Sequence, residues 1–192
     1  MEFTVKHCIA KSNKFTYKIN SVDDDMLSIN QIKNIDIVMD NLEKIIDLKK
    51  VEYYLYKYKI KELIIFGSRT RLHERENSDL DIMVLSYEKE ISEDNYVEEQ
   101  RQYLKNLYMG FVEIVKDTSI VLDFKLNLFD DYDNYGGLTY NADFSDNGVE
   151  CDFIFETSDL PSYVSFTKDE IKFVLEKNAI DIFDGNKFKK VV

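Results

Sequence analysis

Tryptophan is missing from this 192-residue chain, proline occurs once (Pro161), and cysteine and histidine occur twice each. The missing tryptophan carries no functional message, because phenylalanine and tyrosine are plentiful and can fill a core. Cys8 and Cys151 form no Cys-x-x-Cys pair and have no metal-ligand spacing, which argues against a disulfide scaffold or a zinc ribbon and fits a reducing compartment. His7 offers no recognisable role, and His73 reads as a surface residue rather than a base. With a single proline and no low-complexity stretch there is no linker and no domain boundary, so residues 1–192 are expected to form one domain. No apolar run approaches the roughly 20 residues needed to span a bilayer. Met1 to Ala10 lacks the apolar core of a secretion signal. The expectation is a cytoplasmic protein with no membrane partner.

Positive charge is also scarce. Lys and Arg number 25 against 37 Asp and Glu, a net charge of −12. Such a surface repels phosphate backbones and disfavours non-specific nucleic-acid binding. It suits a cationic small molecule or a basic protein face.

Hydrophobic periodicity sets out the elements. Residues 2–19 alternate around the polar Lys11–Lys14 segment and read as a β-hairpin, an N-terminal elaboration within residues 1–30. Ile32, Ile35, Val38, Met39, Leu42 and Ile45 predict a helix over 29–48, and Val51, Tyr54, Leu55 and Tyr58 a second over 49–58. Tyr53, Tyr54, Tyr56 and Tyr58 are read as packing on that helix. Leu63 to Phe66 is a short continuous apolar run ending at Gly67, the pattern of a buried strand entering a turn. A short helix is expected over 69–76, a strand over 80–85 and a long helix over 97–115. Three strands follow, over 120–129, 138–144 and 149–155, separated by turns rich in Asp, Asn and Gly. Thr167 with Glu170 three residues on forms a capping-box pattern, which predicts a helix over 167–177 before a last strand at 179–183.

The chemistry concentrates in Phe66-Gly67-Ser68-Arg69-Thr70-Arg71 and Ser78-Asp79-Leu80-Asp81-Ile82. Glycine has no Cβ, so Gly67 lets a ligand approach the backbone closely. The first N–H groups of a helix starting there would favour phosphate. Ser68 adds a donor, and Arg69 and Arg71 could neutralise a triphosphate or pair instead with Glu74 and Glu76. Ten residues separate Ser68 from Asp79, enough for a short helix and a return into a neighbouring strand. On that strand Asp79 and Asp81 share one face while Leu80, Ile82 and Val84 face the core. Adjacent carboxylates repel unless a cation compensates them, and hard oxygen ligands suit Mg²⁺ bridging to substrate phosphates.

This arrangement of Gly67-Ser68, the Arg69-x-Arg71 pair and Ser78-Asp79-x-Asp81 after an apolar strand resembles the minimal nucleotidyltransferases of the DNA polymerase beta superfamily. The resemblance covers about residues 50–86, and the expected helix and strand over 168–183 also look like the end of such a domain. Leu72 departs from it, since many relatives carry a small residue, often Gly, after the second Arg. The resemblance implies an α+β fold, a mixed β-sheet with helices packed on one face. It also implies Mg²⁺-dependent transfer of a nucleoside monophosphate, AMP first, from ATP or another nucleoside triphosphate to a hydroxyl. Gly67, Ser68, Arg69 and Arg71 would hold the nucleotide, and Asp79 and Asp81 the metal. A third carboxylate is required on the strand beside Asp79-x-Asp81. Asp152 is preferred for its apolar flanks, which would make 120–148 an inserted hairpin; Asp123, directly after the long helix, is the alternative. Relatives modify a partner toxin within toxin–antitoxin pairs, or aminoglycoside and lincosamide antibiotics, so a separate toxin protein or a cationic antibiotic is the implied acceptor. The competing reading is a non-catalytic, antitoxin-like binding protein that neutralises a partner.

Overall fold

The computed structural model describes residues 7–11, 16–21, 27, 29–87, 96–129, 135–140, 149–150 and 160–175. Strands β1 (His7–Lys11) and β2 (Thr16–Ser21) form the expected antiparallel hairpin, with Cys8 opposite Ile19. Helix α1 (Ile29–Ile45) buries Ile35, Val38, Met39 and Leu42, the i, i+3, i+4, i+7 set of one face. Asp47 then caps helix α2 (Leu48–Lys57), its carboxylate accepting from the Lys49 and Lys50 N–H groups at 3.1 and 3.4 Å. Strands β3 (Ile60–Phe66) and β4 (Leu80–Tyr87) flank the glycine turn. Helix α3 (Tyr96–Phe111) tightens into a 3-10 turn at Val112–Ile114, followed by β5 (Leu122–Phe129), β6 (Tyr135–Tyr140) and β7 (Val149–Glu150).

The chain then departs from expectation. Residues 167–177 were expected to be helical; instead β8 (Ser162–Phe166) and β9 (Ile171–Leu175) form an antiparallel hairpin. Thr167 and Glu170 make its turn: the Thr167 N–H donates to the Glu170 carbonyl at 3.0 Å, and the Thr167 hydroxyl accepts from the Glu170 N–H at 3.2 Å. The local hydrogen bonding of a helix cap is present, but β3 and β2 offer open edges to β8 and β9, and pairing with them decides the conformation. The strand expected at 179–183, and Cys151, lie outside the described residues.

Among the described residues the strands form one mixed sheet in the order β1-β2-β9-β8-β3-β4-β5-β6-β7. The β2–β9 and β4–β5 pairs are parallel and the others antiparallel. One face, built by Leu63, Ile65, Ile82, Val84, Phe124, Leu126, Val164 and Phe173, packs against the three helices and forms the main core. Each such side chain, fully buried, contributes about 1.5–3 kcal/mol. On the tyrosine-rich helix α2, Tyr54 is buried and stacks on Tyr58 with ring centroids 5.7 Å apart, whereas Tyr53 and Tyr56 are exposed. The sheet's other face carries a smaller cluster of Ile64, Phe66, Met83, Leu85 and Leu160. Because Ile64 pairs with Met83 and Phe66 with Asp81, the Asp81 carboxylate lies on this second face. Among the described residues no helix is long and apolar enough to cross a membrane.

Candidate active site

Strand β3 delivers Gly67 in a conformation of φ 78° and ψ −150°, a region open in practice only to glycine. A Cβ placed there would lie 1.9 Å from Asp81 Oδ2, so the bare glycine backbone and the carboxylate share a space that no side chain could enter. The Gly67 carbonyl faces two donors, the Thr70 hydroxyl at 3.0 Å and Arg71 Nε at 3.1 Å. Thr70 is fully buried, and its hydroxyl also lies 3.2 Å from the Ser162 carbonyl and 3.2 Å from the Ser162 hydroxyl. One proton cannot serve both carbonyls at once, but either choice fastens the turn to β3 or to β8.

The helix expected over 69–76 is a single 3-10 turn, Ser68–Thr70. The Arg71 and His73 N–H groups both fold back on the Ser68 carbonyl, at 3.1 and 3.0 Å, and Leu72 between them has a φ of 56°. A left-handed residue there ends helical propagation. The phosphate attraction expected from the first N–H groups of a short helix over 69–76 is therefore left to this single turn. What it offers is the Gly67 backbone, the Ser68 hydroxyl and the nearby guanidinium groups.

Those guanidinium groups are anchored. Arg69 donates through Nε to the Asp79 carbonyl at 2.8 Å and through Nη2 to the Ser78 carbonyl. This fork holds the backbone that presents Asp79 at the entrance to β4. Arg71 braces Gly67 in the same manner. Both arginines thus grip the scaffold of the site, a role that the alternatives of triphosphate or Glu74 and Glu76 did not include.

Asp79 is exposed, while Asp81 and Asp123 are half-buried. The parallel register of β4 and β5 sets Asp81 directly opposite Asp123. Carboxylate oxygens of Asp79, Asp81 and Asp123 all lie within 4.8 Å of one another. Burial, reinforced by the negative charge of Asp79 and Asp123, pushes the Asp81 carboxyl up to about 6, with the nearby Lys125 opposing. His73 stands apart from this cluster; partial burial and the neighbouring Arg71 lower its pKa.

Among the described residues, the strand beside β4 that supplies a carboxylate is β5, and the residue is Asp123. Asp152 lies outside the described residues. The stretch expected as an inserted hairpin if Asp152 were the third acid provides β5 directly against β4, with β6 outside it. Three residues with a part in the geometry went unread in the sequence: Thr70, Ser162 and Lys125. Only Lys125 left a signal, standing two residues after Asp123 on the same face of its strand.

Three hard oxygen donors converging beside the glycine corner fit a divalent cation such as Mg²⁺. Residues 49–130 match the family model described as Polymerase beta, Nucleotidyltransferase. This part of the chain is similar to the nucleotidyltransferase domains of the polymerase beta class, consistent with the minimal nucleotidyltransferases. The matched segment contains Gly67, Ser68, Asp79, Asp81 and Asp123. No curated protein and no solved structure matches the chain.

Proposed function

We propose that the protein transfers a nucleoside monophosphate, AMP in the first instance, from a nucleoside triphosphate to a hydroxyl of a protein or small-molecule acceptor, and releases pyrophosphate. The observation that carries this reading is the convergence of Asp79, Asp81 and Asp123 against the Gly67 backbone. Asp79, Asp81 and Asp123 would hold Mg²⁺, with Asp123 rather than Asp152 as the third acid. When bound, the ion supplies charge neutralisation at the polyphosphate and stabilises the charge that develops in transfer. The Ser68 hydroxyl and the Gly67 turn receive the polyphosphate, the glycine bringing its backbone to that corner without a side chain. The acceptor oxygen attacks the α-phosphorus in line, the bond from that phosphorus to the bridging oxygen breaks, and pyrophosphate departs. Asp123 takes the acceptor proton. Arg69 and Arg71 keep the turn and the Asp79 backbone in register, so much of the rate comes from positioning. The net charge of −12 favours a basic protein, such as a partner toxin, or a cationic antibiotic as acceptor.

The test is incubation with α-labelled ATP and Mg²⁺, with candidate acceptors supplied, comparing wild type with Asp81→Asn, Asp123→Asn and Asp152→Asn. Label should pass to an acceptor in wild type and Asp152→Asn and be lost in the other two. Near-normal transfer by Asp81→Asn defeats the assignment. No transfer and no nucleotide-dependent stabilisation of wild type would favour a non-catalytic binding protein.

A further inference from the structure

Lys125 is the one basic side chain that the sheet directs into the acidic cluster among the described residues. On β5, Phe124 and Leu126 are fully buried on the helical side, and Asp123 and Lys125 alternate onto the other face. Their partners across β4 are Asp81 and Met83. The Lys125 side chain is only 18% exposed, less than that of Asp123 beside it. Its ammonium lies 3.4 Å from Asp123 Oδ2 and 4.9 Å from the centroid of the Phe66 ring, the residue that leads into Gly67. The aromatic face and the carboxylate together hold the charge in place. Three ionised carboxylates and one ammonium leave a charge of −2, which a single divalent ion neutralises. Without the ammonium the cluster would carry −3 and would leave room beside Asp123 for another cation. Polymerase-type sites commonly meet that demand with two metal ions about 3.5–4 Å apart.

We propose that Lys125 is a tethered cation standing in for a second divalent ion beside Asp123, so that the site binds one metal ion instead of two. The inference rests on the metal-binding reading of the triad. It gives Lys125 a positioning role, in which its charge sets the metal stoichiometry and leaves one ion to be shared by Asp79, Asp81 and Asp123.

Mn²⁺ binding measured by electron paramagnetic resonance and calorimetry on the full chain tests it, with no nucleotide present. Wild type and Lys125→Arg should each bind one Mn²⁺ per chain. Lys125→Met and Lys125→Gln should bind two and show the spin-coupled signal of a neighbouring pair. Two variants are used so that a folding failure of one, checked by circular dichroism, leaves the other to decide. A single equivalent in whichever variant folds overturns the proposal. If wild type binds no more Mn²⁺ than Asp81→Asn, the metal reading itself falls and takes the proposal with it, a result distinct from an unchanged stoichiometry in the Lys125 variants.

Discussion

Gly67 and Asp81 are fitted so closely that a single added methyl on the glycine would sit 1.9 Å from the carboxylate oxygen. Gly67→Ala should therefore suffer twice: about 1–3 kcal/mol for the strained backbone and a similar amount for the collision. In an Asp81→Ala background the nearest remaining atom of that residue is Cβ, at 3.2 Å, and the penalty should shrink by at least about 1 kcal/mol. Chemical denaturation of the four proteins of this cycle measures it. Equal penalties in both backgrounds would mean that the contact with the carboxylate is unimportant.

The Asp81 carboxyl, raised from its usual 3.8 to about 6, predicts a pH dependence. The metal-free folded protein holds this proton more tightly than the unfolded chain does. The resulting stability is fully present below about pH 4 and is lost as pH rises through about 6. Stability of wild type relative to Asp81→Asn should accordingly fall between pH 4 and pH 7. Metal affinity should run the opposite way, weakening below pH 6 as protons compete. Thermal melts across this range, with and without Mg²⁺, check both directions; a constant difference between the two proteins contradicts the assignment.

Arg69→Lys preserves the charge but loses the fork that holds the carbonyls of Ser78 and Asp79. One hydrogen bond of this kind is worth about 1–1.5 kcal/mol, so Mn²⁺ affinity should drop about tenfold as Asp79 loses its fixed backbone. Calorimetric titration reads this directly. Unchanged affinity would place the arginine's contribution elsewhere.

Leu72 is half-buried, packs against the main core and has a φ of 56°. The left-handed conformation costs leucine about 1–2 kcal/mol, and glycine is free of this cost. Leu72→Gly trades that relief against lost packing and should fall within about 1 kcal/mol of wild type by urea denaturation. Leu72→Val, β-branched and smaller, keeps the strain, loses contact and should be clearly less stable. The reverse order would show that packing alone governs this position.

The elements that the sequence revealed are those whose apolar period is unambiguous. Ile35, Val38, Met39 and Leu42 mark one side of α1, and the run Leu63–Phe66 can only be a buried strand against its glycine stop. The Gly67–Asp81 corner was readable because its residues are close in sequence and each has a distinctive chemistry. Residues 167–177 were not, because Ile171, Val174 and Leu175 satisfy a helical period as readily as Ile171, Phe173 and Leu175 satisfy a strand's. Thr167 with Glu170 serves a cap and a tight turn alike. The edges of β2 and β3 resolved the choice, and no local window contains them. The same limit applies to the third acid: apolar flanks favour Asp152 on paper, whereas the register of Asp123 against Asp81 is a property of the assembled sheet. Arg69 carried a signal of charge only, and its use as a brace for carbonyls nine and ten residues onward required the folded turn.

The parallel seam between β2 and β9 gives the N-terminal hairpin a protective duty. Stripped of residues 7–21, the outer rim of Ile171–Leu175 would present a row of unsatisfied amides and carbonyls to any passing chain, an invitation to edge-to-edge aggregation. The hairpin thus keeps that rim paired and, among the described residues, moves the sheet's end strand outward to β1.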